Sequence, residues 1–316
     1  MMITIVGLGA GDISQISFSA MEELKKSKNI YMRTENHPIL EKLDIEYESF
    51  DSYYEDGENF EAVYEKIAKK IIDIGRENDI IYAVPGHPRV AESTVVLIEE
   101  YAKEEDIEVD VIASMSFIDA MYNYLKFDPS EGFRLLDAFD VRLRDLDCGS
   151  NIIITQVYDR FIASNIKIKL MEYYEDDQDI YLVRSAGIKG QEFKEKMSLS
   201  ELDRDKNQFD HLTSLFIEKS NKKRFKDIFD LKDLVKDLRQ EDMKIKSLGY
   251  VDIAEKLGID SKALMSSVEN DNIEEMIESL GKVLYDLVLH SQIGIEEGYF
   301  DFEEVCDSVC ISLSDR

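Results

Sequence analysis

The chain has 316 residues, 44% of them hydrophobic, and a formal net charge of −29 at pH 7. That length accommodates two or three domains, and the apolar content suffices for a full core. A field of that sign repels phosphate backbones and anionic lipid, so neither nucleic acid nor membrane is expected as a partner; a cationic ligand is steered in, and solubility alone is the other use of the charge.

The opening MMITIVGLGAG has no basic n-region and no apolar run approaches a membrane span, so a cytoplasmic, reducing compartment is expected. Residues 3–6 read as a strand leading into Gly7-x-Gly9-x-Gly11. A dinucleotide loop wants G-x-G-x-x-G, and Asp12 stands where the last glycine belongs. Its carboxylate opposes a pyrophosphate at a helix N-terminus, and Glu35 sits only loosely where a ribose-binding acid would; a dinucleotide-binding dehydrogenase is the alternative reading of this loop. Further strands are expected over 30–33, 80–84, 109–112, 152–156, 180–184 and 214–217. Amphipathic helices are expected in SFSAMEELKKSK and FEAVYEKIAKKIIDIGRE. Strand and helix alternate, which predicts an α/β fold.

The 80–84 strand runs into YAVPGHPRVAEST, where two of the chain's four prolines fall within four residues. A Pro-Gly-X-Pro turn fixes φ and bares backbone groups at a strand's C-terminal end, where α/β sheets bind ligands. Beyond about 220 the strands cease, and RFKDIFDLKDLVKDLRQEDMKI and NIEEMIESLGKVLYDLVLHSQIGIEEG are helical in period, after a polar linker, EKSNKKRFKD. Cys148, Cys306 and Cys310 form no disulfide framework or CxxC pair; Cys306 and Cys310 are expected buried on one helix face. Four scattered histidines give no zinc signature, and no metal site is expected.

Several motifs, in order, resemble the tetrapyrrole (corrin/porphyrin) methylase family. VGLGAGDISQIS is similar to the family's V-G-x-G-P-G-D opening, VPGHPRVAEST to its G-G-D-P loop and IASMSFIDAM to its P-G-x-S-S loop. IITQVYDRF and YLVRSAGIKGQEFKEKMSLSELDR are similar to the elements of its second half. YMRTENHP, YAVPGHP, SFIDA and QVYDRFIAS are most similar to the branch fused to a MazG-type pyrophosphatase, and LYDLVLHSQIGIEEGYFDFEEV resembles the last MazG helices.

The resemblance implies a two-subdomain methylase fold over 1–220, divided near 113–118, and an all-α MazG-like domain over 221–316. It implies S-adenosylmethionine, folded in a cleft between the subdomains and held mostly by main chain. The implied contacts are Leu8 and Ala10 on the first loop, Pro85, Gly86, His87 and Val90 on the next, Ser116 and Phe117, then Val157, Tyr158 and Ala186. His87 replaces the family's loop Asp, and Ser114-Met115 its Pro-Gly; His87 is read either as a contact or as a turn residue. Because the sulfonium is already activated, the protein has to supply positioning and desolvation rather than a nucleophile. The acceptor, a small molecule or peptide, is poorly constrained: Tyr53, Tyr54, Tyr64 and Arg33 are the candidates near it, with helix core or surface as the other reading of the tyrosines.

MazG domains hold Mg²⁺ with E-E-x-x-E and E-x-x-D sets. Anchoring on SLGKVLYDLVLH puts Ser279 and Lys282 at the second set, with Asp260 and Ala263 at the first, so the metal site is degenerate. Glu274, Glu275 and Glu278 with Glu304 and Asp307 spell the motif in another register, a match that 67 acidic residues make easy by chance. The expected protein is a methyltransferase whose helical appendage serves homodimerisation or ligand binding. The alternatives are a non-catalytic sensor of S-adenosylmethionine or a nucleotide, and an active nucleoside triphosphate pyrophosphatase.

Overall fold

A computed structural model describes the chain apart from residues 56–58, 205, 207, 221–222 and 315–316. Part of the 50–67 aromatic stretch and the middle of the 218–227 linker therefore lie outside the described residues. Two compact units are present, Met1–Arg224 and Phe225–Arg316.

The first unit carries two five-stranded sheets. One comprises β1 (Met2–Gly7), β2 (Ile30–Met32), β3 (Glu48–Ser49), β4 (Ile80–Val84) and β5 (Glu108–Ile112), all parallel, in the order β3-β2-β4-β1-β5. A parallel sheet needs cover on both faces, and β4 shows how the sequence provides it. Ile80, Tyr82 and Val84 face Ile67 and Ile71 of α3 (Phe60–Gly75) and Val95 and Ile98 of α4 (Ser93–Glu104). Ile81 and Ala83 face Ala20 and Leu24 of α1 (Phe18–Lys26). Truncating one such buried isoleucine to alanine is expected to cost about 2–5 kcal/mol.

The second sheet comprises β6 (Phe133–Asp137), β7 (Asn151–Thr155), β8 (Asp179–Arg184), β9 (Phe193–Ser198) and β10 (Thr213–Ile217), in the order β6-β7-β10-β8-β9. Only the β6–β7 pair is parallel. Ile152, Ile154 and Leu182 pack on α6 (Arg160–Met171), and Ile153, Val183 and Phe216 on Met121 of α5 (Phe117–Leu125). Of the short α2 (Asp51–Glu55), Tyr53 packs edge-on against Phe50, with ring centroids 5.2 Å apart.

All seven strands expected from sequence are present, with ends shifted by at most a residue or so. The three that sequence reasoning missed, β3, β6 and β9, are edge strands. Half-exposed edges such as FKEKMS lack a continuous apolar run, so periodicity does not mark them.

The second unit contains α7 (Ile228–Glu241), α8 (Met243–Lys246), α9 (Tyr250–Glu269), α10 (Ile273–Glu297) and α11 (Phe302–Ser314). Its small core is Val235, Ile253, Val288, Leu289 and Ile293. Buried Arg239 braces it, donating from Nη1 to the carbonyls of Ile245 (2.7 Å) and Leu248 (3.1 Å) and from Nε and Nη2 to the Glu296 carboxylate at 3.1 and 2.6 Å. Cys306 and Cys310, expected to be buried, are exposed, and among its described residues α11 buries none. No helix of the described residues is long and apolar enough to cross a membrane.

Candidate active site

The loops after β1 and β4 are pinned to each other at their tips. Gly9 N–H donates to the Gly86 carbonyl at 3.1 Å and Gly86 N–H returns a bond to the Gly9 carbonyl at 2.9 Å. The chain can do this because glycine occupies both positions, at φ +82° and +66°. Gly7 is required for a different reason: a Cβ there would lie 2.6 Å from the Gly86 carbonyl oxygen and 2.8 Å from Pro88 Cδ. Asp12, read from sequence as an obstacle to a phosphate, caps the 3-10 turn Ile13–Gln15, accepting from Ser14 N–H at 2.9 Å. Gln15 then donates to the Gly187 carbonyl at 3.0 Å, joining the first loop to the second half of the unit.

These loops wall a cleft of about 960 Å³. Three of its lining residues, Ala91, Gln156 and Ser185, are non-glycine residues in left-handed conformation, at φ 56°, 64° and 53°. Such strain persists only where surrounding structure enforces it, and it gathers at ligand sites. Adding a Cβ at Gly86 would meet nothing within 4 Å, so this glycine faces open space.

One wall is held by buried polar groups. His37 Nε2 donates to the Gly9 carbonyl at 3.0 Å while Nδ1 accepts from Ile39 N–H at 3.4 Å. Burial, with Arg33 nearby, pushes this imidazole's pKa down, and the bond to Gly9 only partly opposes it. Arg33 Nε stands 3.2 Å from a Glu92 carboxylate oxygen, and its Nη1 donates to the Tyr54 hydroxyl at 3.4 Å. Burial pushes the Glu92 carboxyl up to about 7, with the Arg33 charge opposing it. Burial likewise raises Tyr54 and Tyr64, and Tyr82 donates to Thr94 Oγ1 at 3.0 Å beneath them. Asp51 stays below the usual carboxylate range despite its burial, because Glu35 N–H (2.7 Å) and the Ser49 hydroxyl (2.6 Å) donate to it.

Of the residues singled out from sequence, Ala10, Pro85, Gly86, Val90, Phe117, Ala186, Arg33 and Tyr54 line the cleft together. The others stand off it. Leu8 and Val157 are fully buried, contributing backbone bonds to Val84 and Thr213. His87 accepts from Arg89 N–H at 3.0 Å, closing its own turn, and Ser116 caps α5 in a capping box with Asp119. Tyr158 is on a separate surface groove beside Phe139, Tyr53 is in the α3 core, and Tyr64 sits behind Tyr54 with ring centroids 6.3 Å apart. Sequence reasoning missed Gly9, His37, Glu92, Gln156 and Ser185 on the lining. Gln156 and Ser185 are immediate chain neighbours of chosen residues. His37 and Glu92 carried no signal beyond proximity to Arg33 and the Pro-Gly turn.

In the helical unit, Lys256 of α9 bridges two carboxylates, Asp260 at 2.7 Å and Asp286 of α10 at 2.6 Å. The Asp286 side chain is fully buried; burial raises its pKa and Lys256 restrains the rise, while Lys256 holds Asp260 down. Ser279 is buried, Ala263 is exposed and Lys282 pairs with Glu278 at 2.9 Å. In the other register, Glu274, Glu275 and Glu278 open α10, whereas Glu304 and Asp307 lie on α11 beyond its far end. Sixteen residues separate Glu278 from Gly294, the point where Phe300 packs; at 1.5 Å per residue that is about 24 Å, too far for a shared ion. Among the described residues no group of three or more His, Cys, Asp or Glu side chains is arranged to hold a metal.

The chain is similar to uncharacterized protein YabN of Bacillus subtilis (strain 168), with 37% identity over 314 residues, 97% of this chain and 64% of that protein. It is also similar to diphthine methyl ester synthase of Dictyostelium discoideum, 32% identical over 127 residues, covering 38% of this chain and 44% of that one. The chain thus spans less than two thirds of both curated relatives. Uroporphyrin-III C-methyltransferase of Thermus thermophilus, solved with S-adenosylhomocysteine, superposes on 69% of this chain and 98% of its own, with a TM-score of 0.53 at 14% identity, which shows a common fold. The model of the MazG nucleotide pyrophosphohydrolase domain matches residues 261–316. The model of the Tetrapyrrole (Corrin/Porphyrin) Methylases matches residues 2–203, and the chain belongs to that family.

Proposed function

We propose that the first unit is a methyltransferase that binds S-adenosylmethionine in the cleft between its two sheets. The observation that carries this reading is the mutual Gly9–Gly86 bridge at the mouth of a cleft whose lining strands end in left-handed residues. That geometry fixes the two loops against each other and leaves Gly86 facing open space, and a protein of the same fold was solved with S-adenosylhomocysteine. Methyl transfer from a sulfonium is an in-line displacement. The nucleophile of the acceptor takes the methyl carbon, the C–S pair leaves with sulfur, and S-adenosylhomocysteine is released. The enzyme's part is to hold donor and acceptor in line and exclude water. Ala10, Pro85, Gly86, Val90, Phe117 and Ala186 are the residues we place around the donor, with Arg33 and Tyr54 toward the acceptor. Transfer of labelled methyl from S-adenosylmethionine to an acceptor, abolished in a Gly7→Val protein, tests it; a folded protein that binds neither donor nor product overturns it.

The helical unit, on this reading, does not hydrolyse nucleoside triphosphates, because the Lys256 ammonium occupies the place between helices where carboxylates would hold a divalent ion. Its role is association. Ile273, Ile277, Leu280, Leu284 and Leu287 are all exposed on α10, and their alternating spacing of four and three makes one apolar stripe that fits a second copy of the chain. Light scattering is expected to give a dimer for the wild type and a monomer for Leu280→Glu/Leu284→Glu. Release of pyrophosphate from any nucleoside triphosphate with Mg²⁺ would contradict the loss of hydrolysis. We place the protein in the cytoplasm.

A further inference from the structure

The wall of the cleft holds a carboxylate whose hydrogen-bonding capacity is unused. The Glu92 side chain is 7% exposed and lines the cleft, yet no described residue donates a hydrogen bond to it. Its charged neighbour, Arg33, approaches at 3.2 Å through Nε, and that Nε is itself buried without a hydrogen bond. The contact is therefore one of charge alone, and the Glu92 carboxylate keeps its capacity to accept hydrogen bonds from the cleft side. Arg33 Nε is itself buried, whereas Glu92 is on the cleft lining with no hydrogen bond to its carboxylate, so a ligand can complete Glu92. The missing group must be an N–H or O–H donor.

Charge decides between donors. Among the described lining residues Arg33 is the one lysine or arginine, against four carboxylates, Glu35, Glu41, Asp51 and Glu92. Two histidines also line the cleft, His37 and His211, and of these His37 is held toward its neutral form by burial and by the two bonds that fix its ring. Tyr47 and Tyr54 line the same cleft and add no positive charge to it. A macrocycle ringed with carboxylates would bring like charge against this wall, in a protein whose net charge is already −29.

We propose that Glu92 anchors the methyl acceptor, and that the acceptor carries a protonated nitrogen there and is not a polycarboxylate tetrapyrrole. This rests on the methyltransferase reading above. The elevated pKa of Glu92 fits, since an ammonium beside it would restore its ionised form.

The test uses benzylamine, benzyl alcohol and benzoate, three probes of one size that differ in charge at neutral pH. Each is titrated by ligand-observed NMR against wild-type protein saturated with S-adenosylhomocysteine. Benzylammonium is expected to bind at least tenfold more tightly than benzoate, with benzyl alcohol between them. In Glu92→Gln the advantage of benzylammonium over benzyl alcohol is expected to vanish, with S-adenosylhomocysteine affinity kept within twofold. Benzoate binding as well as benzylammonium, no preference among the three, or an unchanged preference in Glu92→Gln overturns the proposal. A Glu92→Gln protein that loses S-adenosylhomocysteine instead assigns Glu92 to the donor, which also overturns it. Failure of the wild type to bind S-adenosylhomocysteine at all would sink the methyltransferase reading, whereas the order of the three probes bears on the acceptor alone.

Discussion

Both units bury charge, but only one leaves it facing space. In the α/β unit, Arg33 and Glu92 line an open cleft, ringed by backbone held in left-handed conformation. In the helical unit, Asp260 and Asp286 are closed over by the Lys256 ammonium. Glu92 faces a cleft that a ligand can enter, whereas Asp286 is shut in, with one oxygen on Lys256 and its Oδ2 buried without a hydrogen bond. The contrast teaches that carboxylates alone do not mark a site, and that what they face decides their role.

The largest expected effect comes from breaking the cleft. Gly7→Val forces a Cβ to within 2.6 Å of a backbone oxygen, so the loops after β1 and β4 must part. Affinity for S-adenosylhomocysteine should fall at least a hundredfold, about 3 kcal/mol, by calorimetry. A protein that keeps its affinity would show that the Gly9–Gly86 bridge does not shape the site.

Lys256→Met sharpens the other half of the comparison. It strands Asp286 in the core, and because the lysine is itself partly exposed we discount the usual penalty to about 2–3 kcal/mol. Asp286 is already raised above its ordinary value, so in the variant its ionisation opposes folding. Stability should therefore be greatest in acid and fall as pH rises through the native pKa, seen in urea unfolding across pH. A variant as stable as wild type at neutral pH would mean the lysine is not the ion's replacement.

Gly86→Ala separates ligand space from strain. Its Cβ meets nothing, so folding should cost only the positive φ, about 1–2 kcal/mol. S-adenosylhomocysteine binding should weaken about tenfold beyond that, roughly 1.4 kcal/mol, and an unaltered affinity would move the donor away from this loop. The smallest effect is that of His37. Its native pKa lies below the unfolded value of about 6.5, so its contribution is fully present above that pH and is lost as pH falls through the native value. Thermal unfolding should show a drop of less than about 1 kcal/mol on acidification, absent in His37→Gln; an identical profile in both proteins would assign the titration elsewhere.

The strand cores were legible because Ile80–Val84 and its counterparts are uninterrupted apolar runs, and the cleft loops because glycine and proline punctuate them. What escaped were features that sequence spacing does not encode. Gln156 and Ser185 take left-handed conformations just past the ends of β7 and β8, and Glu92 meets Arg33 across fifty-nine residues of chain. Lys256, one turn before Asp260, met Asp286 through the pairing of α9 with α10, a contact thirty residues apart in the chain. Conversely, His87 and Ser116, contacts implied by the family resemblance, are used in the structure to close a turn and to cap α5.

The most direct measurement is calorimetric titration of the full chain with S-adenosylhomocysteine, beside Gly86→Ala. Micromolar binding by the wild type, weakened in the variant, is the predicted result and places the ligand on the loop after β4. No binding by a folded wild-type protein would contradict the account, leaving a cleft with the fold of a methylase and without its donor.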